Sequence, residues 1–191
     1  MAIFLRKGQK VNLTKDNPGL SKILVGLGWD VNYKGNYEFD LDAEAFMLGA
    51  NERVPSDAEF IFYFNLGHAS GSIQHMGDNR TGAGEGDDEQ IKIDLSKVPA
   101  NIQKIVFTVT IYDAYKRKQN FGQVSNAFIR IVDEIKDEEI IRYNLDKEFS
   151  NEISVIVGEL YRSDSEWKFN AIGSGFQGDL RDLCLKFGVN V

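Results

Sequence analysis

A loop of glycines and acidic residues is the part of this sequence whose residue types could do chemistry. It spans residues 77–89 and reads GDNRTGAGEGDDE, with four glycines in its first ten positions and a net charge of −4. Glycine lets the backbone adopt conformations closed to other residues, so carbonyl oxygens can turn inward beside the side chains. The loop offers carboxylate, amide and hydroxyl oxygens and contains no cysteine or histidine. Such a donor set is typical of a calcium site, whereas thiolate or imidazole would have indicated zinc or copper.

A second group of carboxylates lies along one face of a predicted strand at residues 37–45. Apolar and acidic residues alternate there, and side chains two residues apart share a face of a strand, roughly 6.6 Å from one another. Crowded carboxylates repel one another unless a cation lies between them or some take up protons. With Asp30 just upstream, this face could therefore add ligands to those of the loop. Its acidic residues are Glu38, Asp40, Asp42 and Glu44.

The elements that must position these residues read as strands joined by tight turns. Apolar residues alternate with a period of two over many short segments, which predicts an all-β sandwich. A short early strand is expected around Val11 and Leu13. In the segment 22–29, Gly26 and Gly28 fall on one face, where a neighbouring element can approach closely. Further strands are predicted at 22–29, 37–45, 59–65, 71–76, 90–94, 104–112, 127–132, 139–145, 152–161 and 166–172. Only the C-terminus has the apolar spacing of a helix, over residues 180–187, with Gly188 placed to end it.

Composition limits the class of protein. The 191 residues are 42% hydrophobic and 27% charged, the balance of an ordinary folded globule, and we expect one domain over residues 1–191. The net charge of −7 disfavours nucleic acid and anionic lipid as partners. A single cysteine excludes an internal disulfide, and no stretch is long and uncharged enough to span a bilayer. A cytoplasmic protein is the resulting expectation.

Several motifs together resemble the TerD family of bacterial tellurium-resistance and general stress proteins. They are GLGWD at 26–30, FDLDA at 39–43, the whole loop at 77–89, QNFGQV at 119–124 and GELYR at 158–162. The resemblance covers essentially the full chain. It implies a sandwich of two packed, mainly antiparallel sheets that binds one or two calcium ions. It also implies a role in resistance to tellurite and other stresses, beside other tellurium-resistance proteins that include membrane-associated ones.

The resemblance also implies a ligand set for calcium. Carried over position by position, the ligands are Asp30, Asp40, Asp42, Asp78, Asn79, Glu85, Asp87 and Asp88, with Glu89 as a weaker candidate. The sequence departs from the family pattern at Glu44, where a small hydroxyl residue is usual, and at Asp179, where glycine is common. Glu44 could either add a ligand or lie in solvent.

Other kinds of site find less support. The loop lacks the alternating acids of an EF-hand and the GK[ST] of a phosphate loop, and the chain has no G-x-S-x-G. We interpret His68 and His75 as surface or strand-edge residues and Cys184 as a buried structural thiol. The acidic run 133–139 is predicted to be a solvated hairpin turn, and the basic cluster 116–118 a turn.

Three hypotheses for function remain open. The leading one is a non-catalytic, calcium-binding stress protein. The second is an interaction module whose acidic face docks a basic partner without metal. The third is a hydrolase that uses the same carboxylates, although such an enzyme needs one acid with a raised pKa in an apolar cleft. The simplest alternative to all three is a solvated acidic loop that binds nothing.

Overall fold

In the described part of the chain, two six-stranded sheets pack face to face. The computed structural model of the protein describes residues 2–30, 39–77, 86–145 and 149–191. Its strands are β1 (Ile3–Phe4), β2 (Lys10–Asn12), β3 (Lys22–Asp30), β4 (Leu41–Leu48), β5 (Phe60–Ile61), β6 (Ile73–His75), β7 (Glu89–Asp94), β8 (Lys104–Ile111), β9 (Ser125–Asp133), β10 (Glu138–Asn144), β11 (Ser154–Ser163) and β12 (Glu166–Phe176). Its helices are α1 (Leu13–Asp16), α2 (Ala114–Arg117) and α3 (Leu180–Phe187).

Sheet A has the strand order β1-β10-β9-β3-β7-β6, and sheet B has the order β2-β12-β11-β8-β4-β5. Strand β1 runs parallel to β10, and the other pairings among the described strands are antiparallel. The facing apolar residues of the two sheets form one continuous core. The predicted all-β sandwich with a short C-terminal helix is confirmed.

Strand β3 shows how the alternation of the sequence becomes two different faces. Ile23, Val25, Leu27 and Trp29 are buried in the core between the sheets. Because successive side chains of a strand point in opposite directions, the residues between them face outward. Two of these are glycines, which leave room over the outer face of sheet A for other groups to approach.

Strand β4 is buried on both faces, unlike a strand at the surface of a sandwich. Its residues Leu41, Ala43, Ala45 and Met47 enter the core between the sheets. On the opposite side, a second apolar cluster packs helix α3 against the outer face of sheet B. The members of this cluster are Phe46, Leu48, Val54, Phe60, Val106, Ile156, Leu183, Cys184, Phe187 and Val189.

Helix α3 is closed at both ends by its own sequence. The Asp179 side chain accepts a hydrogen bond from the backbone N–H of Asp182 at 3.2 Å, and the Asp182 side chain accepts one from the backbone N–H of Asp179 at 3.1 Å, forming a capping box. Gly188 ends the helix with a φ of 86°, a conformation that glycine adopts without strain. The aspartate at position 179, a departure from the family pattern, is therefore the N-cap of α3. The predicted helix and its terminal glycine are confirmed.

Several local predictions are wrong. The segment 59–65 is a strand only at Phe60–Ile61, because a capped 3₁₀ turn at Asp57–Glu59 precedes it and the backbone then reverses between Phe62 and Asn65. Leu13 begins α1 instead of continuing a strand. Strand β4 starts at Leu41, so Phe39 and Asp40 of the segment predicted at 37–45 are not in a strand, and residues 37 and 38 lie outside the described residues. The basic cluster contributes to helix α2, not to a plain turn. The turn predicted within 133–139 joins β9 to β10, as expected.

Within these four described ranges, no helix combines the length and apolar character needed to cross a membrane.

Candidate metal centre

The C-terminal end of the glycine-acid loop lies on the outer face of sheet A, where Asp87 meets Arg130. Arg130 Nε donates to Asp87 Oδ1 at 2.7 Å and Nη2 donates to Oδ2 at 3.1 Å, a two-point ion pair. Gln90 Nε2 adds a third hydrogen bond to Oδ2 at 3.2 Å. The Asp87 side chain is 0% exposed, so both of its carboxylate oxygens are satisfied within the protein.

The glycines of β3 make this contact possible. A Cβ atom at Gly26 would lie 2.3 Å from Asp87 Cγ, closer than non-bonded carbon atoms come, and one at Gly28 would lie 2.5 Å from the ring of Phe128. The sequence predicted a close approach on this face of β3. The approaching groups are the Asp87 carboxylate and the Phe128 ring.

Asp88 is held against the same strand by its backbone and its side chain. Its N–H donates to the carbonyl of Leu27 at 2.6 Å, and its Oδ2 accepts the backbone N–H of Trp29 at 2.8 Å. Trp29 lies where the pairing of β3 with β9 changes register, between Gly28 and Asp30. A bulge of this kind releases backbone groups from the ladder, and Asp88 accepts the hydrogen of one of them.

The electrostatics around Asp88 favour a cation. Burial raises the pKa of the Asp88 carboxyl above its usual range, and the negative charges of Asp87, Glu89 and Asp30 raise it further, although the hydrogen bond from Trp29 lowers it. The carboxylate of Asp30, an exposed residue, belongs to this group and accepts a hydrogen bond from Asn126 Nδ2 at 2.5 Å. Asp88, Asp87 and Asp30 are thus three predicted ligands that the fold brings together.

Glu89 has a different role from its neighbours. Its Oε2 accepts the backbone N–H of Ala43 in sheet B at 2.7 Å and lies 3.6 Å from His75 Nε2. His75 Nε2 is 3.1 Å from the carbonyl oxygen of Ala43. His75 is buried, so it is not a surface residue, but it lies on β6, an edge strand of sheet A, in agreement with the strand-edge alternative.

The acids of β4 and of the residues before it are not an open carboxylate face. Asp40, Asp42 and Glu44 are 5%, 4% and 0% exposed. Asp40 Oδ2 lies 3.8 Å from Arg117 Nη1. Asp42 lines a cavity of about 280 Å³ on the outer side of sheet B with Tyr63 and other residues.

Glu44 neither lies in solvent nor faces Asp88. Thr108 and Thr110 donate hydroxyl hydrogen bonds to its two oxygens at 2.5 and 2.6 Å. Burial, opposed by these hydrogen bonds, raises the pKa of Glu44 to about 8. The side chain is therefore a buried acid on the outer side of sheet B, which excludes the solvent-exposed alternative for Glu44.

The remaining predicted ligands, Asp78, Asn79 and Glu85, fall outside the described residues, as does Glu38 of the acidic strand face. Within the part of the chain that the structure describes, no three histidine, cysteine, aspartate or glutamate side chains form a group that could hold a metal ion by themselves. Asp88 and Asp30 can supply oxygen ligands of the kind that calcium prefers. A full coordination shell would need further donors.

Sequence reasoning missed Arg130 and Asn126. Both lie in β9, where an arginine or asparagine at an outward position carries no signal of a site. Arg130 faces Gly26 only because β9 pairs with β3 in that register. The two glycines of β3 were the signal that could have led to it, since they mark where another group approaches.

Comparison with known proteins agrees with this architecture. The family model described as the TerD domain matches residues 1–187. The chain is 50% identical to the tellurium resistance protein TerD of Alcaligenes sp over 190 residues, which cover 100% of this chain and 99% of that protein. It is 59% identical to general stress protein 16U of Bacillus subtilis (strain 168) over 192 residues, which cover all of both chains.

A solved structure shares the fold. It is a homologue of telluride resistance protein (TerD) from Streptomyces coelicolor A3(2), with a TM-score of 0.72 and 22% identity, covering 86% of this chain and 95% of that one. At this identity the likeness supports the fold alone, but the family model and the full-length relatives go further. The chain belongs to the TerD family.

Proposed function

We propose that this protein is a non-catalytic, calcium-binding stress-response protein of the cytoplasm, associated with tellurium resistance. The observation that carries the proposal is the crowding of carboxylates around Asp88. Asp88 is partly buried, its pKa is raised, and Asp87, Glu89 and Asp30 all act on it as negative charges. A cation at this point would relieve the repulsion and favour the ionised form of Asp88.

Asp88 and Asp30 are the predicted ligands that the described geometry supports best. Asp88 Oδ2 accepts the backbone N–H of Trp29, which orients this carboxylate at the end of β3. Asp78, Asn79 and Glu85 would supply the remaining side-chain donors. Bound calcium would supply positive charge and join the loop to the end of β3.

The names of full-length relatives support the physiological part of the proposal. Proteins at least 50% identical over the whole chain are named a tellurium resistance protein and a general stress protein. We extend that role to this chain. We also propose that its partners include other tellurium-resistance proteins, membrane-associated ones among them.

The position of Glu44 supports a non-catalytic role. A carboxylate hydrolase needs an acid with a raised pKa facing its substrate. Glu44 has a pKa raised to about 8, but it is fully buried and its two oxygens accept from threonine hydroxyls. A substrate cannot contact a carboxyl group that is buried in this way, so the raised pKa of Glu44 does not indicate catalysis.

The proposal is tested by calcium titration of chelator-stripped protein, with magnesium as the comparison ion. Calcium that binds only the folded state stabilises it by about 2.7 kcal/mol at a hundredfold excess over Kd, so the melting temperature should rise with calcium and fall with chelator. Asp88→Asn keeps an acceptor for Trp29 but removes the charge, and it should abolish the calcium response with the fold intact, as should Asp78→Ala.

The exposed Glu138 on β10 provides a matched control. Glu138→Gln should respond to calcium like the wild-type protein. Equal melting curves of the wild type in calcium and in chelator would reject the proposal. Salt-sensitive binding of a basic protein in chelator, without calcium heat, would favour the metal-independent interaction module instead.

A further inference from the structure

We propose that Arg130 is a positioning residue of the calcium site and that Asp87 is its anchor, not a metal ligand. The inference rests on the proposed calcium-binding function and changes the ligand set within it. The Arg130–Asp87 ion pair fixes the end of the glycine-acid loop to the outer face of sheet A, and this attachment holds Asp88 at the bulge in β3.

Both carboxylate oxygens of Asp87 already accept hydrogen bonds within the protein. Arg130 donates to both of its oxygens, at 2.7 and 3.1 Å, and Gln90 donates to one of them at 3.2 Å. A calcium ion bound to the same carboxylate would lie beside the guanidinium charge and be repelled by it.

Three paired strands, β9, β3 and β7, form a platform beneath Asp87. Arg130 of β9, Gly26 of β3 and Gln90 of β7 lie directly opposite one another across three paired strands. Arg130 Nη1 also donates to Glu139 at 3.1 Å, so carboxylates orient the guanidinium from two sides. The hydrogen bonds to Asp87 and Glu139 raise the pKa of Arg130 despite its partial burial. Only an arginine presents this planar set of donors.

Asp88 connects this platform to the proposed calcium site. Asp88 follows Asp87 in the chain, and its own N–H and carboxylate bond to Leu27 and Trp29 of β3. Two successive residues are thus fixed to one strand, the first by its side chain and the second by its backbone and side chain. Without the ion pair, Asp88 would lose the neighbour that restrains its position. Groups that orient metal ligands in this way typically change metal affinity by about 10–100-fold when they are removed.

Substitutions of Arg130 separate positioning from simple electrostatics. Arg130→Lys keeps the positive charge but loses the two-point contact, whereas Arg130→Gln loses both. The positioning role predicts that each raises the calcium Kd, measured by calorimetry, by about tenfold or more. A purely electrostatic role predicts an unchanged Kd for Arg130→Lys and tighter binding for Arg130→Gln, because a repelling charge is removed.

The neighbouring Arg142 provides the matched control. It lies 3.4 Å from Glu139 and stacks 3.6 Å from the ring of Phe128, on the same face of sheet A. Arg142→Gln should leave the calcium Kd unchanged. In chelator, hydrogen exchange of residues 86–90 should accelerate in Arg130→Lys and Arg130→Gln and stay at the wild-type rate in Arg142→Gln.

Substitution of Asp87 distinguishes an anchor from a ligand. If Asp87 acts through Arg130, Asp87→Asn should weaken calcium binding, and the double variant with Arg130→Gln should be no weaker than the worse single variant. The luminescence lifetime of terbium bound in place of calcium reports the water molecules on the ion. Their number should be the same in Asp87→Asn as in the wild type.

The outcomes separate failure of the inference from failure of the proposed function. A wild-type protein without calcium heat would overturn both. Calcium binding by the wild type, together with an unchanged Kd in Arg130→Lys, would overturn the positioning role alone. An extra water on terbium in Asp87→Asn, or losses that multiply in the double variant, would return Asp87 to the ligand set.

Discussion

Glu89 of sheet A accepts the backbone N–H of Ala43 of sheet B at 2.7 Å. Strand β5 pairs with β4 at Ala45 and Phe46, so Ala43 lies beyond the end of that pairing. Glu89 and His75 supply the acceptor and a polar contact there, with both side chains 0% exposed. A side chain of sheet A thus supplies a hydrogen-bond acceptor at the edge of β4 in sheet B. Glu89 directly follows the proposed calcium ligand Asp88 in the chain.

Glu89→Ala should therefore lower the free energy of unfolding by about 2–3 kcal/mol, because it leaves the buried N–H of Ala43 without its acceptor. Glu89→Gln should cost less, since the amide oxygen can still accept. Denaturant unfolding in chelator measures both without any contribution from calcium. The exposed Glu138 again serves as control, and Glu138→Ala should change the stability by less than about 0.5 kcal/mol. A Glu89→Ala variant as stable as that control would contradict the edge-capping role.

Glu44 makes the stability depend on pH. Its pKa is about 8 in the folded protein against 4.5 for the unperturbed group, so the folded state binds this proton more tightly than the unfolded state. Its contribution to stability is complete below pH 4.5 and is lost as the pH rises through 8. Glu44→Gln removes this titration. The free energy of unfolding of the variant minus that of the wild type should thus increase between pH 5 and 8, by up to about 1.4 kcal/mol per pH unit. Denaturant curves in chelator at several pH values test this, and a constant difference would reject the raised pKa.

Cys184 should be unreactive in the folded protein. It lies on α3, within the apolar cluster that packs this helix against sheet B, and is 2% exposed. Burial, reinforced by the charges of Glu44, Asp179 and Asp57, raises the pKa of its thiol to about 12. The thiolate is the reactive form, so a disulfide reagent should modify it only when the protein unfolds. Absorbance of the released thiol in native buffer and in guanidinium gives the comparison. Rapid modification in native buffer would show that α3 opens readily.

Phe46 should be a main anchor of helix α3. Its ring centroid lies 4.4 Å from that of Phe60 and 4.6 Å from that of Phe187, and it is fully buried. Phe46→Ala should reduce the free energy of unfolding by about 3–5 kcal/mol, because it leaves a cavity between the sheet and the helix. Phe64, which is 83% exposed, offers a matched control: Phe64→Ala should leave the denaturation midpoint nearly unchanged. Equal effects of the two substitutions would contradict this packing.

The sequence predicted the main strands and helix α3 more accurately than the contacts that their side chains make. Alternation in residues 22–29 and 104–112 identified β3 and β8, and apolar spacing with Gly188 identified α3, because these signals are local. The strand predicted at 59–65 is too long because the aromatic residues of this segment are typical of a strand. A capping box and a tight turn, which depend on a few polar contacts, shortened that strand to two residues.

For the candidate site, too, some features follow from the sequence and others only from the tertiary structure. Composition alone identified the loop 77–89 and the oxygen-only character of its donors, and the glycines of β3 indicated a close approach. The tertiary structure decided what each described carboxylate contacts: Asp87 pairs with Arg130, Asp88 caps the bulge at Trp29, and Glu44 bonds to two threonines. The reason is physical. Alternation sets the face on which a side chain lies, but its charge partners and its burial depend on strand register and on the helix that covers that face, and both arise from pairings between distant parts of the chain.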